Sequence, residues 1–508
     1  MDEYDTDGSG SDAEVCLDDG KQSTNTTNES TVEIKWSKEF KRRKMTRKDT
    51  VTLKKGLTKS SENISSFRDA LDLFLTQETK EIIIKYTNQK GMTQNKDDWK
   101  DISIKELDTF LGIIIAMGVH DDTSTSIHNL WSNESFFSLP KYSKFMSRQR
   151  IFEILSCLRF DDSTTRKERQ EKNRLAAISE VVNLIRDRCL ENYNPGFNLT
   201  IDEKIIPFTG NCRFRVYMPN KPDKYGIKVW ALTDSENYYV KNFDIYLGKI
   251  DKREVNQSQR VVLLLTECLG QGYNITMDNF FTSFSLANSL LNRNITLLGT
   301  LRHNKKGIPP ELLNSRGKEL FSSEFRFSEN FTLVSYVTKK KKTVLVLSSG
   351  HQNKNISNEK NKFKPELILE YNETKHGVDS LDKMTKKYSC KRASRRWTMS
   401  LFYGLIDICL LNAYVLFKEV NSSDIPRRTL YLEVARSLIE SGQEAMKVFN
   451  NQSQVKPRGR RCSSCLDKRP AKRTATEYCS MCSKPVCSDH FLKKITCNQC
   501  SNIQILYD

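Results

Sequence analysis

An acid lies inside an otherwise apolar segment near the middle of this 508-residue chain. In "FNLTIDEKIIPF", the apolar residues Phe197, Leu199 and Ile201 alternate with polar ones, and this period of two predicts a strand with one packed face. Asp202 then projects from the opposite face, beside β-branched neighbours. Because an unpaired carboxylate is costly in such surroundings, the pattern indicates that Asp202 faces an ion pair or a bound metal ion.

Two further segments carry acids at places where predicted elements begin or end. Asp278 follows the β-like stretch "NITM" and precedes a predicted helix, so a role as a turn residue also explains it. Asp379 and Asp382 are three positions apart and share one face of a predicted helix. Asp379 comes soon after Gly377, however, and a helix-capping or dipole role accounts for that position as well.

Carboxylates that converge from a strand, a strand end and a helix would form a negatively charged pocket lined by oxygen atoms. Such a pocket suits magnesium or manganese, which prefer hard oxygen ligands. Two ions held there can activate a water molecule and stabilise the entering and leaving oxygens of a phosphodiester displacement. The predicted chemistry is therefore metal-dependent cleavage of a nucleic acid strand.

The elements that must position these acids follow one another in distinct stretches. Helical spacing of apolar residues dominates up to the breaker Pro195-Gly196, and a mixed α/β pattern continues to about residue 304. Within it, two strands flank Ser235-Glu236-Asn237, which predicts a hairpin. A second hairpin is predicted in "FTLVSYVTKKKKTVLVLSSG", and one long helix from Val378 to Phe417.

Part of that helix, "MSLFYGLIDICLLNAYVLF" at residues 399–417, is about as long as a membrane span. Asp407 and Asn412 lie in the middle of this segment, where they would be expensive in lipid. The segment is also a solitary apolar run in a chain that is 28% charged. The pattern predicts a buried core helix.

The charge of the chain indicates the kind of partner. A formal net charge of +18 favours a polyanion such as nucleic acid. Ten acids and one lysine occupy residues 1–33, and the basic run "KWSKEFKRRKMTRKD" follows. Low hydrophobicity and these charge blocks predict a disordered tail over residues 1–60. The basic run fits a nuclear localisation signal, a phosphate-binding arm or a merely solvated tail. We expect a nuclear protein.

Eight Cys and His residues near the C-terminus form four pairs with metal-ligand spacing. In an intracellular protein this spacing favours zinc over disulfides. Four pairs suit two zinc ions in a cross-brace, with the first and third pairs on one ion and the second and fourth on the other. The predicted ligands are Cys462 and Cys465, Cys479 and Cys482, Cys487 and His490, and Cys497 and Cys500.

Several ordered blocks of this sequence resemble those of piggyBac-type transposases, over roughly residues 100 to 420. They are "LTIDEKIIPFTGNCRFRVYMPNKPDKYGIKVW", "NITMDNFFTSFSLANSLL", "LLGTLRHNKKGIP", "YNETKHGVDSLDKM" and "RRWTMSLFYGLIDICLLNAYV". The resemblance implies an α/β fold with an RNase H-like catalytic core, in which Asp202, Asp278 and Asp379 bind the metal ions and Asp382 is a fourth acid. It also implies cut-and-paste transposition at TTAA sites through hairpinned transposon ends, and a homodimer.

The resemblance also implies a division into domains. After the tail, the expected divisions are a helical dimerisation and DNA-binding domain at 61–196 and 389–455, an RNase H-like core at 197–304 and 366–388, an insertion domain at 305–365, and a zinc-binding domain at 456–508. Basic and aromatic residues in these parts are predicted to contact double-stranded DNA, both transposon ends and target. They are Arg302, Lys305, Lys306, Arg395, Arg396, Trp397, Arg458, Arg460 and Arg461.

Three functions remain compatible with the sequence. The first is an active DNA transposase, which the intact acids favour. The second is a domesticated relative that binds DNA or chromatin without transposing, since a host gene can retain the acids. The third is a ubiquitin ligase or histone-tail reader built on the cross-brace module, which leaves the acids and about 400 residues unexplained.

Overall fold

We describe the fold from a computed structural model of the chain. The described residues are 16–17, 34–39, 54–94, 98–131, 142–219, 221–248, 256–314, 317–340, 342–421, 424–452, 477–478 and 485–486. Residues Met1–Glu440 form one compact unit and Ser441–Asp508 a second. In the second unit, Glu477–Tyr478 pairs antiparallel with Pro485–Val486.

Helices precede the main strands and then alternate with them. The helices are α1 (Phe67–Asp72), α2 (Gln77–Gln94), α3 (Ile104–Val119), α4 (Ile127–Leu130), α5 (Arg148–Cys157), α6 (Arg166–Lys172), α7 (Ser179–Glu191), α8 (Gln257–Thr266), α9 (Phe284–Leu291), α10 (Pro310–Leu313), α11 (Glu366–Thr374), α12 (Gly377–Lys387), α13 (Trp397–Asn421) and α14 (Arg427–Gln452). The mostly helical character before Pro195 agrees with the sequence prediction.

Among the described residues, ten strands form one sheet. The strands of the chain are β1 (Cys16–Leu17), β2 (Gly56–Leu57), β3 (Tyr193–Asn194), β4 (Asn198–Pro207), β5 (Arg215–Tyr217), β6 (Tyr225–Asp234), β7 (Val240–Ile245), β8 (Asn274–Met277), β9 (Thr296–Leu301), β10 (Ser323–Phe327), β11 (Thr332–Lys339), β12 (Lys342–Ser348), β13 (Glu477–Tyr478) and β14 (Pro485–Val486). The order in the large sheet is β1-β5-β6-β4-β8-β9-β12-β11-β10, and β7 pairs with β6.

The centre of the sheet combines antiparallel and parallel pairing. β6 is antiparallel to both β4 and β7, which confirms the predicted hairpin, whereas β8 is parallel to β4 and to β9. Apolar side chains cover both faces of these strands, as is usual where helices pack on each side. Leu199 and Ile201 belong to the cluster that includes α8 and α9, and Ile206 and Val229 to the cluster that includes α13.

The segment predicted as an insertion domain continues this sheet. β11 and β12 form the predicted hairpin, and β12 then pairs antiparallel with β9 through residues Leu345–Ser348. Its strands are thus hydrogen-bonded to the central sheet, within the same compact unit. The proposed boundaries at 305, 366 and 389 stay predictions.

The single long helix predicted from Val378 to Phe417 is wrong, because the structure divides it into α12 and α13. Asp407 on α13 accepts hydrogen bonds from the Ser389 hydroxyl (2.6 Å) and the Cys390 N–H (2.8 Å), which hold the connection in a non-helical path. Asn412 bonds both backbone groups of Val240 on β7, at 2.8 and 3.0 Å. These two polar residues therefore attach α13 to its surroundings.

The same helix α13 is the membrane-span candidate of the sequence. Residues Trp397–Asn421 are long and apolar enough to cross a bilayer, but 94% of the most apolar window is buried inside the molecule. Burial also raises the pKa of Asp407 to about 6, although the bonds from Ser389 and Cys390 oppose that rise. The prediction of a buried core helix is confirmed.

Parts of the predicted disordered tail have partners in the structure. β1 pairs with β5, and β2 pairs with β3. Ser37 forms a two-bond bridge with Phe327, at 2.8 and 2.9 Å, beside Trp36, whose indole packs edge-on against Phe284. The prediction of a disordered tail over residues 1–60 was therefore wrong for these pieces. At residues 34–39, Trp36 supplies an apolar anchor that the average composition conceals.

Candidate active site

Asp202 and Asp278 lie next to each other because their strands are parallel and in register. The last register pair between β4 and β8 is Ile201 with Met277, and the two aspartates follow these residues directly. Ile201 and Met277 are both packed in the cluster of α8 and α9. By the alternation of strand side chains, both aspartates point to the other face, on which α12 packs. The predicted orientation of Asp202 is confirmed.

Asp278 also forms the turn that ends β8. Its carboxylate accepts the backbone N–H of Phe280 at 2.9 Å, and its carbonyl accepts the N–H and hydroxyl of Thr282, at 3.2 and 2.8 Å. This is an Asx turn, in which a short acid bonds the backbone two residues on. Asp278 is therefore both a turn residue and a neighbour of Asp202, and the turn fixes the direction of its side chain.

Threonines and a glycine bring the helix that carries Asp379 against the sheet. The Thr200 hydroxyl donates to the Thr374 carbonyl (2.5 Å), and the Thr276 and Thr374 hydroxyls are 2.7 Å apart. α12 then begins at Gly377, where an added Cβ would come within 2.5 Å of the Thr200 hydroxyl oxygen. Only glycine allows this close approach without displacement of the helix or the strand.

Asp379 occupies the first turn of α12 but is not its cap. The N-cap is His376, which makes no side-chain cap bond. Asp379 is thus positioned where the helix dipole favours a carboxylate, and half of its side chain is exposed. The capping alternative is wrong, whereas the dipole alternative fits this location.

Two lysines that were not predicted from the sequence lie next to the acids of the site. Lys204, two residues after Asp202 and hence on the same face of β4, pairs with Asp382 at 2.8 Å and bonds the Thr385 hydroxyl at 2.7 Å. Lys221, from the β5–β6 loop, donates to the Glu203 carbonyl at 3.0 Å and lies 3.6 Å from Asp379. The spacing of Lys204 could have been found from the strand period, but Lys221 has no such signal.

The electrostatics of the two strand aspartates reflect burial. Burial raises the pKa of Asp202 well above its usual range, Glu203 and Asp278 raise it further, and Lys221 opposes them. Burial and the charge of Glu203 likewise raise the pKa of Asp278. The N–H bonds of Phe280 and Phe281 and the charge of Arg302 lower it in part. Carboxylates whose charge is so poorly compensated are suited to attract a cation.

The opposing charges also act on Lys221 itself. Burial alone would lower the pKa of its ammonium group, but the charges of Asp202, Glu203, Asp382 and Asp379 outweigh that effect and raise it. Lys221 is therefore a fixed positive charge among these acids at neutral pH.

The predicted metal ligands fit magnesium or manganese by their chemistry, since all of them are carboxylates on one face of the sheet. Their arrangement is more open than a ligand set. Within the described part of the chain, no three His, Cys, Asp or Glu side chains lie together closely enough to hold one ion. In this arrangement the ammonium of Lys221 supplies the countercharge.

The loop after β9 borders this acidic face, as the sequence predicts. The Arg302 guanidinium donates to the Asn279 side chain at 3.2 Å, lies over the Phe280 ring, and opposes the rise in the pKa of Asp278. Lys305 and Lys306 continue the loop, and the carbonyl of Gly307 accepts the Trp36 indole N–H at 2.8 Å. A basic loop thus lies directly beside one of the strand aspartates.

The second predicted basic patch is used differently. The Arg396 guanidinium donates to the carbonyls of Leu155 and Leu158, at the end of α5. Trp397 packs edge-on against Phe214, with ring centres 5.0 Å apart. In the structure the guanidinium of Arg396 satisfies free carbonyls at a helix end, and Trp397 is half-buried against Phe214. Their predicted contact with DNA stays a prediction. Arg395 between Ser394 and Arg396 is exposed.

The predicted zinc ligands, Cys462 through Cys500, lie outside the described residues, as do Arg458, Arg460 and Arg461. The zinc site and these DNA contacts stay predictions.

Comparisons with known proteins agree on one kind of molecule. A family model described as "Transposase IS4" matches residues 68–414. Human PiggyBac transposable element-derived protein 3 is 24% identical over 400 residues, which cover 73% of this chain and 64% of that protein. Human PiggyBac transposable element-derived protein 2 is 23% identical over 368 residues, or 68% of this chain and 60% of that protein. The chain thus spans less than two thirds of either relative.

A solved structure covers more of the chain. The cryo-EM structure of a piggyBac transposase synaptic complex with hairpin DNA has 31% sequence identity and a TM-score of 0.74, and the match covers 88% of this chain and 100% of that one. The similarity supports the mixed α/β, RNase H-like core predicted from the sequence.

Proposed function

This chain belongs to the piggyBac family of transposases, and from that premise we propose that it cuts and rejoins DNA through Asp202, Asp278 and Asp379. The observation that carries the proposal is the parallel pairing of β4 with β8. It sets Asp202 and Asp278 side by side on the face where α12 presents Asp379, with Lys221 among them. The net charge of +18 and the basic loop at Arg302 support DNA as the substrate.

The cofactor we propose is magnesium or manganese, two ions per site, held by the three aspartates. Bound ions of this kind supply Lewis acidity to phosphodiester oxygens and generate an attacking hydroxide. The protein's own contribution is positional: the Asx turn orients Asp278, the strand register orients Asp202, and the threonine contacts of α11 and α12 orient Asp379. Arg302 is placed to contact a phosphate of the strand bound beside Asp278.

The finer reaction we propose is cut-and-paste transposition at TTAA sites with hairpinned transposon ends. The solved relative, a transposase synaptic complex with hairpin DNA, supports the hairpin step. A homodimer, a nuclear location and a zinc-binding terminus that recognises transposon ends complete the proposal. The spacing of the Cys and His residues supports the last of these.

A second candidate is a domesticated DNA-binding protein that no longer transposes. The names of the human relatives, which describe them as derived from a transposable element, support this alternative. The retained Asp202, Asp278 and Asp379 favour the active enzyme over it.

The two candidates differ in a cleavage assay. The full-length protein is incubated with linear duplexes that carry the DNA flanking its coding sequence, with Mg²⁺, with Mn²⁺ or with EDTA. An active transposase nicks at the element boundary only with a divalent cation, and the Asp202→Asn variant binds the same duplex without nicking. Tight, sequence-specific binding with no cleavage under any condition would instead establish the domesticated protein.

A further inference from the structure

Lys221 is held in place among the acids by its own loop. The ends of the loop meet through the Met218 N–H and the Lys224 carbonyl, 2.7 Å apart, and the Lys221 N–H donates to the Met218 carbonyl at 3.2 Å. Asp223 in the same loop pairs with Lys386 of α12 at 2.8 Å. The loop that carries Lys221 is thus joined to the helix that carries Asp379.

The side chain of Lys221 is directed inward. Only 17% of it is exposed, although lysine is one of the residues least often buried. Its ammonium bonds the Glu203 carbonyl at 3.0 Å and lies 3.6 Å from the Asp379 carboxylate, near Asp202. A divalent cation at this site would need the same carboxylate oxygens. The ammonium and the ion cannot share them without like-charge repulsion.

The other lysine of the site does not have this position. Lys204 is committed to Asp382 and Thr385 of α12, at 2.8 and 2.7 Å. Lys221 is therefore the lysine that faces Asp379, and its charge also opposes part of the rise in the pKa of Asp202.

We propose that Lys221 is a resident countercharge of the active site, whose ammonium pairs with Asp379 and offsets part of the charge of Asp202 in the metal-free protein, and must withdraw before a divalent cation can bind. This inference rests on the proposed function, because it concerns the affinity of the same carboxylates for the catalytic ion. It makes two predictions that a phosphate-binding lysine does not share. Removal of the charge strengthens ion binding, and it destabilises the metal-free protein.

The experiment measures Mn²⁺ binding by the full-length, zinc-loaded protein, without DNA, from the electron paramagnetic resonance signal of free Mn²⁺. Lys221→Met keeps the aliphatic stem and removes the charge, and Lys221→Arg keeps the charge. Lys224→Met is the matched control, because Lys224 is an exposed lysine of the same loop. Asp202→Asn identifies which bound Mn²⁺ belongs to the site.

The expected result is that Lys221→Met binds the Asp202-dependent Mn²⁺ about tenfold or more tightly than wild type, since one nearby charge shifts such equilibria by about one to three powers of ten. Lys221→Arg and Lys224→Met bind like wild type. Without an added divalent cation, Lys221→Met melts at a lower temperature than wild type, and Mn²⁺ raises its melting temperature more than it raises that of wild type. If Lys221→Met does not fold, Lys221→Gln, which removes the charge but keeps a hydrogen-bond donor for the Glu203 carbonyl, takes its place and is expected to bind the Asp202-dependent Mn²⁺ more tightly than wild type.

Unchanged or weaker binding of the Asp202-dependent Mn²⁺ by Lys221→Met, or by Lys221→Gln where it takes the place of that variant, overturns the inference. If wild type still binds an Asp202-dependent Mn²⁺ and cleaves DNA, the proposed function survives that failure. If wild type and Asp202→Asn bind Mn²⁺ equally and neither cleaves DNA, the proposed function itself is wrong.

Discussion

The four acids of the site divide into two on the sheet and two on a helix, and the two pairs are held by different means. Asp202 and Asp278 extend from adjacent parallel strands, so the hydrogen-bond ladder fixes their separation. Asp379 and Asp382 extend from α12, whose distance from the sheet depends on Gly377 and on threonine hydroxyls. The sheet acids are half-buried and only partly compensated by Lys221 and Arg302, whereas each helix acid has a lysine within 3.6 Å.

This difference separates two tasks. The strand acids form a rigid half of the site, in which the negative charge of the carboxylates lacks full compensation and favours a bound cation. The helix acids supply a half that can adjust, because its position rests on side-chain contacts and its charge is balanced by Lys204 and Lys221.

The strongest test of the comparison changes the strand acids. Asp202→Asn or Asp278→Asn keeps the size of the side chain and removes the charge that attracts the ions. Each is expected to lower the rate of strand cleavage about a thousandfold or more, which is about 4 kcal/mol of transition-state stabilisation. Binding of the same end-containing duplex should persist. Nicking assays at equal bound fractions measure this, and substantial nicking by either variant contradicts the assignment.

The helix side is tested by moving the helix while all four acids remain. Gly377→Ala places a methyl group against Thr200 and should displace α12, with a loss of stability of about 1–3 kcal/mol. Because a misplacement of about 1 Å can cost about a hundredfold in rate, we expect a cleavage defect of that order.

The control for that change is Gly196→Ala, whose Cβ would come no closer than 3.3 Å to a neighbour. It should have a much smaller effect on cleavage and on thermal unfolding. Equal cleavage by Gly377→Ala and wild type would mean that α12 need not stand close to the sheet.

The basic loop beside the strand acids is expected to act on target DNA. Alanine at Arg302, Lys305 or Lys306 should reduce integration several-fold more than excision, and lower the salt slope of target binding by about one for each phosphate that the variant no longer neutralises. Lys383→Ala, an exposed lysine on α12, is the matched control and should leave both steps unchanged. Equal loss of excision and integration would assign the loop a general structural role.

The contribution of the Lys204–Asp382 ion pair to the stability of the helix side can be measured separately. Asp382→Asn leaves the buried Lys204 ammonium without its charged partner, and we expect a loss of about 2 kcal/mol in the free energy of unfolding. Lys204→Met/Asp382→Asn should recover most of that loss, because no unpaired charge remains. Urea denaturation measures both. A double variant no more stable than Asp382→Asn would show that the pair does not act as a unit.

The smallest expected effect is a pH dependence of stability. The pKa of Asp202 is raised in the folded state, so the protonated carboxyl favours folding. This contribution to the free energy of unfolding is fully present below the unfolded-state pKa and is lost as pH rises through the folded-state pKa. Asp202→Asn should therefore be more stable than wild type at neutral pH, and the difference should disappear in acid. A stability difference that does not depend on pH would contradict the electrostatic explanation.

The sequence predicted the strand side of the site better than the helix side. A period of two gives the face of Asp202 directly, and the β-like stretch before Asp278 places that acid at a strand end. The parallel pairing that brings the two acids together was not predicted. The gap between α12 and α13 could not be predicted, because it depends on Asp407 bonding Cys390 across 17 residues. Lys221 could not be predicted either, since its position follows from loop closure and not from any local period.

Non-local pairing accounts for the other differences. The hairpin of β11 and β12 was visible in the sequence, but its attachment to β9 depends on a register between distant segments. Arg396 was predicted as a DNA contact because it is basic, and only the packed structure shows that its guanidinium also donates to the carbonyls at the end of α5.

The central claim is that acids from two strands and one helix form a single metal site. It is tested most directly by replacing Mg²⁺ with Fe²⁺ in the presence of ascorbate and peroxide, so that hydroxyl radicals generated at the bound ion cut the nearby backbone. The account predicts cuts in three segments, around Asp202, Asp278 and Asp379, that excess Mg²⁺ and the Asp202→Asn substitution suppress together. Cuts at only one of the three, or at none of them, would contradict it.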